Sequence, residues 1–191
     1  MKKHLRDFYF KLLYLINTMV LRINRVKFGT LDIRGILLVN NAGAIRIAPH
    51  AIINSSKYKN IIGGDTRSSI VVKRGANLLI GSNFRMSNSA IYCAESISVG
   101  NNVMIGGSCR IWDTDFHPLN PSDRSDNPNE GYKTRPITIG DNVFIGGFSI
   151  ILKGTIIGNG AIIGAGSVVS GTIPAGEIWA GNPARFIKKT G

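Results

Sequence analysis

The chain has 191 residues, a formal net charge of +12, 23 glycines, 8% aromatic residues and two cysteines. Two thiols, Cys93 and Cys109, make neither a disulfide framework nor a metal cluster, and the length suits one domain that buries its own core. Beyond residue 27 the basic residues are scattered and lack the aromatic interleaving that stacks bases, which excludes nucleic acid as the expected partner.

Residues 3–26 are predicted to form a helix, because Phe8, Leu12, Leu15 and Met19 recur at helical spacing without Gly or Pro between them. Phe10, Leu13 and Tyr14 widen the apolar arc. Residues 1–27 also carry a net charge of +6. The arc is expected to pack on the protein; contact with an anionic membrane through residues 1–27 is the other reading. The run Leu12–Leu21 contains Asn17 and Thr18 and falls short of the roughly 20 residues needed to span a bilayer. Lys11 interrupts the apolar stretch and no cleavage-like site follows, so no signal peptide is expected. The expected localisation is cytoplasmic, at the inner face of the membrane if the helix binds lipid. The expected boundaries are a basic helix over 1–28 and one domain over 29–191.

From Gly29 onward the apolar runs are short. Ile33, Ile45, Ile47, Ile53, Ile70, Val72, Leu78 and Ile80 alternate with Gly and Asn, as in degenerate coils with an outward loop near 54–60. Val99, Ile105 and Ile111 then fall into a six-residue register, which returns as Ile139, Ile145, Ile151, Ile157, Ile163 and Val169. A helix needs a period of about 3.6 and a half-buried strand a period of about 2, so neither explains it. A unit this short buries its aliphatic only by coiling, three units to a turn of about 18 residues, so that like positions stack. The prediction is an all-β parallel β-helix in which Ile139 lies under Ile157 and Ile145 under Ile163. Val143, Ser149, Thr155, Ala161 and Ser167 take the second inward position of each unit.

The register breaks over residues 112–136, a stretch rich in Pro, Asp and Asn that is read as a loop thrown out of the coil. It carries His117, flanked by Asp113, Asp115 and Pro118. A histidine suits general-base attack on a thioester because its pKa lies near working pH, and a neighbouring carboxylate is expected to hold its tautomer. His4 and His50 have weaker claims. Residues 174–191 read as a C-terminal tail.

The hexapeptide runs, the Asp-Thr-Asp-Phe-His117-Pro element with Arg124 after it, the run Arg135-Pro-Ile-Thr-Ile-Gly-Asp-Asn-Val-Phe-Ile-Gly and the ending Ala180-Gly-Asn-Pro-Ala-Arg185 together resemble the galactoside, maltose and capsular-polysaccharide O-acetyltransferases. The resemblance covers residues 78–190. It implies a left-handed β-helix, a homotrimer with active sites between subunits, acetyl-CoA as donor, a saccharide acceptor, no metal, and His117 as base with Asp113 or Asp115 to orient it. It further implies that the N–H of Gly147 meets the oxyanion and that the donor lies along Phe144, Gly147, Ala165 and Ser170, with Arg185 and Lys188 near its phosphates. Acceptor contacts are implied at Asn88 or Met86, Trp112 and Arg124. Phe144 stands where the family commonly has Trp, and Gly171 where it often has Lys.

A zinc-dependent hydratase on the same coil needs three histidine ligands, and of the three histidines here only His117 lies in the regular coil region. A non-catalytic β-helix scaffold and an acyltransferase for a non-sugar acceptor such as an amino acid are the remaining alternatives. A scaffold has no need of the His117 loop or of Arg185.

Overall fold

The computed structural model describes residues 2–64 and 66–191; Met1, Asp65 and the side chains of Lys2, Lys3, Leu5 and Arg6 lie outside the described residues. Helix α1 (Lys2–Ile23) is followed by a coil of short parallel strands. Every third strand pairs with the next, which winds the chain into three flat faces. The first face holds Ala44–Ile47, Asn77–Ile80, Ser96–Val99, Ile137–Ile139 and Ile156–Ile157 among its seven strands. The second holds Ala51–Ser55, Arg85–Ser87, Met104–Gly107, Phe144–Ile145 and Ile162–Ile163, and the third Ser69–Val72, Ala90–Cys93, Arg110–Trp112, Ile150–Ile151 and Val168–Val169.

Like positions stack as the six-residue register requires. Ile139 pairs with Ile157 and Ile145 with Ile163, and all four are buried. At roughly 1.5–3 kcal/mol per buried aliphatic side chain, this column is the main source of stability. The second inward positions are small because they lie at the corners, and Val143, Ser149, Thr155, Ala161 and Ser167 are all buried. Their hydroxyls are satisfied locally: Ser149 donates to Gly146 O at 2.8 Å, Thr155 to Leu152 O at 2.7 Å and Ser167 to Gly164 O at 2.6 Å. Where the first face turns into the second, Asn83, Asn102 and Asn142 each adopt positive φ, which Asn tolerates better than most residues. Their amides form a ladder up the corner, at 2.9 and 3.0 Å.

Helix α1 packs on the protein, but not by the side that its apolar periodicity suggests. Leu13, Asn17 and Leu21 face inward, while Phe8, Leu12, Leu15 and Met19 are exposed. The pin is Asn17, whose amide donates to Gly35 O at 2.8 Å and whose carbonyl oxygen accepts from Leu37 N at 3.0 Å. The strand edges of the first coil end in unpaired backbone groups, and a buried amide satisfies them where a leucine cannot.

Two further segments differ from expectation. The excursion contains a short helix, α2 (Pro121–Asp126), capped by the Asn120 side chain, which accepts from Ser122 N. Asn followed by Pro is a helix-start signal that the loop's composition obscures. The C-terminal residues form a hairpin, Glu177–Gly181 antiparallel to Ala184–Lys189, which ends the second face. Among the described residues, no helix is long and apolar enough to cross a membrane.

Candidate active site

The excursion leaves the corner where the third face meets the first, and its neck is built around Asp113. This carboxylate is fully buried and accepts from three successive backbone N–H groups, those of Ala94 at 2.6 Å, Glu95 at 2.9 Å and Ser96 at 2.8 Å. Arg135 N returns to Asp113 O, and an antiparallel bridge joins Thr114 to Thr134. Asp113 thus fastens the loop to the coil below, and its oxygens are turned to the backbone instead of to His117. Asp115 pairs with Lys153, 2.9 Å away on the next coil.

His117 is exposed, and its tautomer is held by a carbonyl oxygen where a carboxylate was expected. Its Nδ1 lies 2.6 Å from Pro128 O; a carbonyl only accepts, so Nδ1–H donates, and in the neutral ring the lone pair is then on Nε2. Phe116 sits directly before it at φ 64°, a left-handed conformation that is strained for a bulky residue. Its ring packs against Tyr92 at 4.8 Å and Trp112 at 6.1 Å, centroid to centroid. Trp112, singled out from the sequence, thus packs on the residue before His117, while Tyr92 and Phe116 gave no signal in the sequence. Arg124 is committed to the loop: its guanidinium donates to Pro118 O and Leu119 O at 3.0 and 2.9 Å.

The expected donor residues gather elsewhere on the coil. Phe144 projects outward from the second face, and Gly147 and Ala165 stack at the corner between the second and third faces. Arg185 and Lys188 stand exposed on the final hairpin of the same face. The N–H of Gly147 takes no part in the backbone hydrogen bonds of the coil, although its carbonyl accepts from Gly166 N. Ser170 does not join this group, since it follows Val168–Val169 at the corner from which the His117 loop departs.

Neither expected acceptor residue ahead of the histidine is open to a ligand in the single chain. Met86 points into the core. Asn88 is fully buried beneath Gly63, with its amide donating to Gly64 O at 3.2 Å and its carbonyl oxygen without a partner. Both cysteines are buried as expected. Burial pushes the Cys93 thiol up to about 12, and the neighbouring Asp113 carboxylate adds to the shift. Among the described residues, no group of three or more His, Cys, Asp or Glu could hold a metal ion.

Comparison with known proteins places this coil. Residues 136–171 match the family model described as bacterial transferase hexapeptide, six repeats. Those 36 residues carry the transferase hexapeptide repeat. The galactoside O-acetyltransferase of Escherichia coli (strain K12) is 36% identical over 116 residues, 60% of this chain and 55% of that protein. Across the curated relatives, matches such as this one span between 51% and 60% of the relative's own length. A maltose O-acetyltransferase from Clostridium difficile 630 superimposes with a TM-score of 0.62 at 25% identity, over 97% of this chain and 86% of that one. A galactoside acetyltransferase in complex with coenzyme A gives 0.60 at 23% identity, over 100% and 82%. The hexapeptide coil here is therefore the left-handed parallel β-helix that the sequence resemblance implies.

Proposed function

We propose that the protein is an acetyl-CoA-dependent O-acetyltransferase acting on a hydroxyl of a saccharide, with His117 as general base. The observation that carries this reading is the bond from His117 Nδ1 to Pro128 O, because it leaves Nε2 free to take a proton on the exposed side of a strapped loop. The named relatives and the coenzyme A complex among the similar structures support the donor and the acceptor class.

In this mechanism Nε2 removes the acceptor hydroxyl proton as the alcohol oxygen attacks the thioester carbonyl. The resulting oxyanion is met by the Gly147 N–H. Collapse breaks the C–S bond, and the imidazolium returns its proton to the departing thiolate, so no acyl-enzyme forms. Within one chain His117 and Gly147 belong to opposite ends of the third face, so the two groups meet only when a second copy brings its Gly147 corner to this loop. That requirement, with Met104, Phe144, Phe148 and Phe186 exposed on and beside the second face, supports a homotrimer with shared sites. Use of acetyl-CoA as donor fits an enzyme of the cytoplasm.

Residue roles follow from position. Trp112 and Phe116 flank the acceptor beside His117, and Phe144, Ala165, Arg185 and Lys188 lie along the donor. Incubation with acetyl-CoA and a panel of mono-, di- and oligosaccharides is expected to yield a sugar heavier by one acetyl group in a mass spectrum. No acetylated product and no donor binding by calorimetry would leave the scaffold reading in its place.

A further inference from the structure

Helix α1 has apolar residues on opposite sides, and the coil uses only one of them. Leu13, Asn17 and Leu21 dock on the first coil. At about 100° per residue, Phe8, Leu12, Leu15, Met19 and Ile23 form a second line roughly 150° away. All five are exposed, Phe8 at 64%, Leu15 at 63% and Ile23 at 70%. We propose that this free stripe is a docking surface for an anionic lipid bilayer, with the helix lying in the plane of the interface.

Charge selects this occupant over a second copy of the chain. Lys11 and Arg22 are exposed along one edge of the stripe, Arg25 and Lys27 are exposed beyond its end, and Asp7 is the only acid in residues 1–27. Packing two such helices stripe to stripe sets the basic edges of both copies, Lys11 and Arg22, beside each other with Asp7 as the one acid of each segment to offset them, whereas anionic headgroups complement them. An amphipathic helix with basic residues beside a large apolar face, on a chain with no crossing helix among its described residues, has the form of an interfacial anchor. Resting on the transferase reading, the acceptor this surface favours is a saccharide carried on a lipid.

The test is flotation of the full-length protein with vesicles, read beside its size by gel filtration with light scattering. Wild type is expected to float with equal parts phosphatidylglycerol and phosphatidylcholine at low salt, and to stay behind with phosphatidylcholine alone or at high salt. The double variant Leu12→Asp/Leu15→Asp is expected to lose about tenfold or more in bound fraction with size and melting temperature unchanged. Wild type that ignores the anionic vesicles overturns the proposal. A drop in oligomer size in the double variant overturns it too, because a second copy then covers the stripe. Flotation needs neither donor nor acceptor, so its failure is separate from any failure of the transferase reading.

Discussion

The Nδ1 atom of His117 lies 2.6 Å from the carbonyl oxygen of Pro128, at the far end of the same loop. A backbone carbonyl holds the imidazole in one tautomer without adding a negative charge beside it. The expected outcome is an Nδ1–H tautomer in the neutral ring, which nitrogen-15 NMR of the labelled protein reads directly. A ring protonated at Nε2 would remove Nε2 as the base.

Phe116 stands in the left-handed region, so its ring and its backbone pull in opposite directions. Phe116→Ala deletes the contacts with Tyr92 and Trp112 and keeps the strain. Phe116→Gly deletes the contacts and relieves it. Thermal unfolding should rank Gly above Ala by about 1 kcal/mol, against the usual order of the two residues. Both variants should lose about tenfold in kcat because the loop carrying His117 loosens. Equal stability of the two would mean that the position holds no strain.

Asp113→Ala leaves the N–H groups of Ala94, Glu95 and Ser96 without their buried acceptor. A loss of about 3 kcal/mol or more is expected, measured by urea unfolding. A loss under about 1 kcal/mol would show that the loop neck is not held from below.

These residues also show what the sequence makes legible. The coil can be read from residues 139–169 because stacking demands one aliphatic every six residues, and Ile139 under Ile157 follows directly. The role of Asp113 cannot, since its partners are backbone N–H groups that leave no trace in side-chain identity. The docking face of α1 is hidden for a related reason: its central residue is Asn17, which apolar periodicity counts against burial. His117 was singled out by its motif, but the partner of its ring is again a carbonyl oxygen. Met86 and Asn88 show the limit of matching positions without a fold, because one is core and the other lies beneath a loop.

Cys93 has its pKa raised from 9.0 to about 12. A raised value favours the protonated thiol in the folded state, so this contribution to stability is intact below about pH 9 and fades as pH rises towards 12. Melting temperature followed through that window should fall faster for wild type than for Cys93→Ala. Matching alkaline profiles would contradict the assignment.

The most direct test of the central claim is free-thiol release from acetyl-CoA, with and without saccharide acceptors, comparing wild type with His117→Ala. Buried Cys93 and Cys109 keep the protein's own background low. The account predicts release that depends on an acceptor and falls by about 100-fold or more in the variant. Acceptor-dependent release that survives unchanged in His117→Ala would contradict His117 as the base, and release that no acceptor stimulates would contradict transfer to a saccharide.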